Sequence, residues 1–225
     1  MVAKAQPNPM TDSEALRRSI IEACLWMNEA GINQGTSGNI SVRVEDAMLI
    51  TPSGVPYDTM EPGMICKVPL DRPPVAQGSM RPSSEWQFHQ ALLRDRPEMS
   101  AVVHAHPAYA TALAMQRRTI PSCHYMVAVF GGKEVPLAEY DLFGSQGLAE
   151  KVTASMAGYN GCLMANHGAV VLGETLAKGL WRMEELENLA RVYHLSLQSG
   201  SPVLLSDDEM DEALAAISGY GLKER

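Results

Sequence analysis

Val102-Val103-His104-Ala105-His106-Pro107 reads as the end of a buried strand. Met99 to His104 is an apolar run without helical spacing, and Pro107 suits the first turn of a following helix. Side chains two apart on a strand point to one face, so His104 and His106 face the same way where that strand stops. A third histidine, His167 in Ala165-Asn166-His167-Gly168, follows another apolar run from Cys162 to Ala165. Three imidazoles can therefore converge at strand ends. Three histidine ligands leave coordination positions open, as a catalytic divalent metal requires. An isolated His-x-His is more often a hydrogen-bonded pair in a turn, and the third histidine moves the reading toward a metal.

Outward from this stretch, Thr11-Asp12-Ser13-Glu14 fits capping-box spacing ahead of Leu16, Ile20, Ile21, Cys24 and Leu25, and predicts a helix from about 12 to Gly31. Asn39 to Val44 and Met48 to Thr51 read as a hairpin around an Asp-containing turn, closed by Pro52-Ser53-Gly54. The Pro/Gly-rich stretch from Leu70 to Pro82 reads as an exposed loop. Ser83-Ser84-Glu85 then opens a helix ending near Pro97. Further helices are expected at Pro107 onward, around Gln146 to Ala157 and from about Glu174 to Ser199, with an apolar run at Tyr125 to Phe130. Short hairpins with non-alternating helices predict an α/β fold of three layers, α/β/α, around a mostly antiparallel sheet.

The chain has 225 residues and 46% hydrophobic content, enough for one core. One domain over 1–225 is expected, with 1–10 flexible and a tail of about 206–225 able to cover a site. The net charge of -8 argues against a phosphate-backbone partner, which needs a basic surface, but leaves room for a small anion in a local pocket. Cys24, Cys66, Cys123 and Cys162 are widely spaced and form no metal or disulfide pattern. There is no apolar run of about eighteen residues, and MVAKAQPNPM lacks the apolar stretch of a signal peptide, so no membrane span and a cytoplasmic location are expected.

Glu85 by default is a surface carboxylate complementing a helix dipole. Beside it, Ser83 and Ser84 offer hydroxyls and backbone N–H groups suited to a phosphate. Asn33-Gln34-Gly35-Thr36-Ser37-Gly38-Asn39-Ile40-Ser41 and Thr51-Pro52-Ser53-Gly54 are either plain turns or loops whose small residues let the backbone approach an anion. Neither matches a nucleotide-binding loop. His89, four residues after Glu85, shares its helix face and either packs or orients the carboxylate. His124 and His194 are assigned no chemistry.

In this order, Gly35-Thr36-Ser37-Gly38-Asn39, Thr51-Pro52-Ser53-Gly54, Ser83-Ser84-Glu85, His104-Ala105-His106 and Asn166-His167-Gly168 resemble the class II aldolase/adducin family. The resemblance runs from about residue 13 to the end and includes Ile120 to Met126, Phe143-Gly144 and Tyr220-Gly221-Leu222. It implies Zn2+, or Mn2+, Co2+ or Fe2+ in its place, on His104, His106 and His167 with Glu85 as a further ligand. It also implies a homotetramer with sites between subunits, and phosphate held at Gly38, Asn39, Ser53, Gly54, Ser83 and Ser84. Ser53 departs from an expected threonine but keeps the hydroxyl. The implied activity is that of a lyase splitting a ketose 1-phosphate, L-fuculose 1-phosphate or a related deoxy-pentulose phosphate, into dihydroxyacetone phosphate and an aldehyde. Glu85 and Tyr125 of a neighbouring subunit would move protons, and Phe143 and Tyr220 would border the aldehyde. The same scaffold also serves pentulose-phosphate 4-epimerases, which carry aspartate where Glu85 stands, and keto-acid-phosphate decarboxylases. A non-catalytic binding module, as in adducin heads, lacks the metal histidines, and the complete set here argues against it.

Overall fold

The computed structural model describes residues 10–74 and 80–217. Residues 75–79 of the expected loop, the expected flexible start through residue 9, and Tyr220 lie outside the described residues. Helix α1 spans Glu14–Glu29, and its cap is Ser13, whose hydroxyl accepts the Leu16 N–H at 3.2 Å. The capping-box spacing of Thr11 and Glu14 is thus not the one used. Asp12 instead pairs with Arg17 at 2.7 Å, and the same guanidinium donates to Pro62 O and Ile65 O, tying the helix start to the chain that follows the hairpin.

One seven-stranded sheet runs in the order β3 (Cys66–Pro69), β2 (Ala47–Ile50), β1 (Asn39–Val44), β4 (Ala101–Ala105), β7 (Gly168–Gly173), β6 (Gly161–Met164), β5 (Leu137–Ala138). Every neighbouring pair is antiparallel except β5 with β6. The two-residue side-chain period divides the apolar residues into two cores. Ile40, Val42, Ala101, Val103, Ala105 and Val171 join residues of α1, of α3 (Ala108–Met115) and of α5 (Leu176–Ser199). Met48, Ile50, Val102, Val170 and Leu172 join residues of α2 (Trp86–Asp95) and α4 (Gln146–Ser155). At the sheet's centre all residues of β4 and β7 are buried, as a strand covered on both faces should be.

The apolar run at Tyr125–Phe130 is a 3-10 turn, not extended chain. His124 Nδ1 accepts the Met126 N–H at 3.2 Å, and Gly131, at φ 87°, ends the turn in a conformation that glycine takes without strain. Helix α6 (Asp207–Ile217) packs on this turn through Met210.

Candidate active site

Antiparallel pairing places Asn39, at the start of β1, beside His104, near the end of β4, and β4 in turn lies beside β7. Chain starts and ends therefore meet at one sheet edge. The turn from β6 into β7 carries Asn166 at φ 55°, a conformation asparagine tolerates better than most side chains, and this turn delivers His167. A Cβ on Gly168 would lie 2.6 Å from Ala105 O and 2.7 Å from His106 Cδ2, so only glycine lets the two histidine-bearing segments approach this closely. Gly38 plays the same part toward His104 O, at 2.9 Å.

The imidazole nitrogens of His104, His106 and His167 that face one another lie within 4.8 Å. His104 is fully buried and its Nδ1–H donates to Ala169 O at 2.9 Å, which leaves Nε2 as a bare lone pair 3.1 Å from His106 Nε2. Burial, aided by the neighbouring imidazoles, holds His104 at about 3 and His167 at about 4. Burial also lowers His106, against the pull of Glu85. Neutral rings offer lone pairs, the form that binds a metal.

Glu85, buried at the N-cap position of α2, brings Oε2 to 3.2 Å from His104 Nε2 and Oε1 to 3.3 Å from His167 Nε2. These are not ion pairs, because the rings are uncharged. Against His104, two acceptors face each other with no proton between them. Glu85 Oε1 is also buried without a hydrogen-bond partner. Such an arrangement is costly when empty and is relieved by a cation among the four groups. The donor set of three imidazoles and one carboxylate therefore fits a divalent metal of the zinc type.

Above these groups opens a cavity of about 390 Å³, lined by Thr36, Ser37, Gly38, Asn39, Pro52, Ser53, Gly54, Ser83, Ser84, Glu85, His106, Tyr140, Asp141, Phe143, Asn166 and His167. All six residues expected at a phosphate thus meet at one cavity with the metal-type cluster. Two side chains there are already committed. Asn39 donates its amide to Glu85 Oε2 at 2.9 Å, and Ser83 Oγ accepts the Glu85 N–H at 3.3 Å. Phe143 lines the cavity and is 63% exposed. Tyr125 is not among the lining residues: it sits half exposed on the 3-10 turn with its ring stacked on His124. The described part of the tail, α6, packs on that same turn and does not line this cavity.

Tyr140 and Asp141 were not anticipated. They reach the cavity because the loop before α4 is held against α2: Gln87 donates to Gly144 O at 2.9 Å, and Gly144, at φ 70°, passes where a Cβ would meet Ser84 O at 2.8 Å. Among the described residues no lysine or arginine lines the cavity. To an anion the described lining offers hydroxyls and backbone N–H groups.

Residues 18–194 match the Class II Aldolase and Adducin N-terminal domain, and the chain belongs to the class II aldolase/adducin family. It is 41% identical over 209 residues to the L-fuculose phosphate aldolase of Escherichia coli (strain K12), covering 92% of this chain and 96% of that one. It is 43% identical over 210 residues to the 5-methylthioribulose-1-phosphate/5-deoxyribulose-1-phosphate aldolase of Escherichia coli O45:K1 (strain S88 / ExPEC), covering 92% and 97%. A solved L-fuculose 1-phosphate aldolase superposes with a TM-score of 0.87 at 34% identity, covering 92% of this chain and 97% of that one.

Proposed function

We propose that the protein is a metal-dependent class II aldolase that cleaves a ketose 1-phosphate, L-fuculose 1-phosphate or a deoxy-pentulose 1-phosphate, to dihydroxyacetone phosphate and an aldehyde. The observation that carries this is the Glu85 carboxylate, with a buried, unpartnered oxygen, set 3.2 and 3.3 Å from two of three neutral imidazoles at a cavity lined with small hydroxyl and glycine residues. His104, His106 and His167, with Glu85 as a further ligand, would hold a divalent cation, which would supply Lewis-acid stabilisation of negative charge at the ketose oxygen. Zn2+ suits the donor set, and Mn2+, Co2+ or Fe2+ are alternatives.

The chain's own residues do the rest. Gly38, Asn39, Ser53, Gly54, Ser83 and Ser84 hold the phosphate, with no basic side chain among the described residues lining the cavity. Glu85 would deliver a proton to the carbon freed by cleavage, having first taken it up from water, which regains one from Tyr125 after that residue has removed the hydroxyl proton, so that the net movement is one proton from the hydroxyl to the carbon. Tyr125 takes the proton of the hydroxyl on the departing aldehyde, reaching the cavity of a neighbouring subunit in a homotetramer. The tail packs on the same turn as Tyr125, so tail and tyrosine would serve that neighbour together, with Tyr220 beyond the described residues. Phe143 meets the deoxy end of the substrate.

The same reading takes the two cores as the two interfaces of a three-layer α/β/α domain spanning the chain, and places the enzyme in the cytoplasm. No described helix is long and apolar enough to cross a membrane.

The test is deuterium exchange at C3 of dihydroxyacetone phosphate, without aldehyde, in the zinc-loaded protein. Stereospecific exchange lost on chelation and in Glu85→Gln is the expected result. No exchange in protein shown to hold metal overturns the aldolase reading in favour of epimerisation or decarboxylation.

A further inference from the structure

We infer that His89, carrying its proton on Nε2, is a positioning residue that fixes the Asn39 amide and through it aims the Glu85 carboxylate. His89 is fully buried in α2 and both ring nitrogens are engaged: Nδ1 lies 2.7 Å from Ser41 Oγ, and Nε2 lies 2.5 Å from Asn39 Oδ1. Asn39 Nδ2 in turn donates to Glu85 Oε2 at 2.9 Å. Two elements build this chain. Residues 39 and 41 point to one face of β1, and residues 85 and 89 are one helical turn apart on α2.

The direction of the chain follows from donor chemistry. A carboxylate accepts and does not donate, so the Asn39 NH2 group faces Glu85 and Oδ1 faces His89. That oxygen needs a proton from Nε2. Full burial keeps the ring neutral, so Nδ1 has none to give and accepts the Ser41 hydroxyl proton. Every hydrogen bond then runs one way, from Ser41 to His89 to Asn39 to Glu85. The flipped amide would press Oδ1 against Glu85 Oε2 at 2.9 Å, two acceptors in a buried site.

Glu85 depends on this chain. Among the described residues, Asn39 is the one hydrogen-bond donor to its carboxylate, and Oε1 has no such partner. Without His89 the amide still turns its NH2 group to Glu85 but loses the donor that pins Oδ1, so the amide, and with it the plane of the carboxylate beside the histidines, is held from one side only. A histidine that merely filled space would be replaced equally well by glutamine or leucine. A positioning histidine is replaced only by a side chain that still donates to Asn39, as a glutamine amide at the Nε2 position does.

The inference deepens the proposed reaction by naming a residue that prepares its proton-moving carboxylate, but its test does not rest on that reaction alone. In full-length protein labelled with 15N-histidine, long-range proton–nitrogen correlation should show His89 neutral with the proton on Nε2. A proton on Nδ1 overturns the chain of donors. In the cobalt-substituted protein, His89→Leu should shift the visible d–d band, while His89→Gln leaves it in place. In the deuterium-exchange assay, His89→Leu should lower kcat by about tenfold or more at little-changed KM, with His89→Gln restoring most of it, in line with losses of about 10–100-fold for outer-shell partners of metal sites. Equal behaviour of the two variants overturns the inference. If no variant, including the parent, exchanges deuterium, the aldolase reading fails, and the tautomer and the cobalt spectrum still decide the role of His89. The tautomer is read in the parent protein, so a variant that fails to fold does not remove the test.

Discussion

Gly168→Ala is a one-methyl test of whether close backbone approach assembles the metal site. The new Cβ would lie 2.6 Å from Ala105 O and 2.7 Å from His106 Cδ2, against ordinary contact beginning near 3.4 Å, so the chains must part by about 0.8 Å, the difference of 3.4 and 2.6. The first obstacle is a backbone oxygen in the central strand β4, flanked by β1 and β7, and it cannot swing aside. Metal–ligand distances tolerate only about 0.2 Å, so the movement is several times what a three-histidine site absorbs. Overpacking of this kind costs about 1–3 kcal/mol, which for a chain of this size lowers Tm by roughly 2–12 °C. Zinc affinity, measured against a competing chelator, is expected to fall by at least about tenfold, as for other disturbances around metal ligands. Gly63→Ala is the control, since a Cβ there meets nothing within 4 Å. Unchanged zinc affinity and Tm in Gly168→Ala would refute the claim that the loops are held at the limit of contact.

Four other outcomes are expected. Asn166→Gly should keep zinc affinity, whereas Asn166→Val should lose it and about 1–2 kcal/mol of stability, because a branched side chain resists the φ of 55° that delivers His167; equal behaviour in chelator competition would count against the turn's role. Asp12→Asn should destabilise by about 1 kcal/mol near neutrality, since Asp12 and Arg17 are only 25% and 20% exposed and the pair is bidentate. The Arg17 hydrogen bond lowers the Asp12 pKa below its usual 3.8, so this stability is full above that value and is lost as pH falls through the folded pKa. Melting curves of the two proteins should then converge in strong acid. Lys151→Met should raise KM for the aldehyde in the condensation direction and leave that for dihydroxyacetone phosphate alone, because Lys151 ties down Asp141 and Tyr140 O, at 2.9 and 2.8 Å, in the loop that brings Phe143 to the cavity; equal change in both would place the loop elsewhere in function. Finally, glycerol phosphate should raise the Tm of the metal-loaded protein and leave the metal-free protein unmoved, since among the described residues no basic side chain lines the cavity. An equal shift in both would mean that the loops bind phosphate unaided.

The hairpin of β1 and β2 was legible almost to the residue, because two short β-rich runs bounded by turn residues leave little choice. The central strand β7 was not. Ala169, Val170, Val171 and Leu172 are all fully buried, so the run shows no alternation, and four apolar residues between glycines do not by themselves choose a strand. β5 has two residues and exists only as a partner to β6, so no local pattern marks it. At α1 the motif named the right region but not the cap in use: Ser13, directly before the helix, accepts the Leu16 N–H, while Asp12 pairs with Arg17.

For the site, what sequence order carried was identity and what it could not carry was direction. His104 and His106 were placed on one face by strand spacing, and Glu85 and His89 on one face by helical spacing. Nothing along the chain says that the α2 face meets residues 39 and 41 of β1, since that contact exists only once the sheet is covered. The same limit explains Asn39. Its place in a glycine-rich loop suggested an anion ligand, and it does line the cavity, but no spacing announces that its side-chain amide also donates to the buried Glu85 carboxylate. Tyr140 and Asp141 were invisible for a related reason: their approach is set by Gln87 and by the bare backbone of Gly144, 57 residues apart in sequence, and a motif search sees neither partner as chemistry.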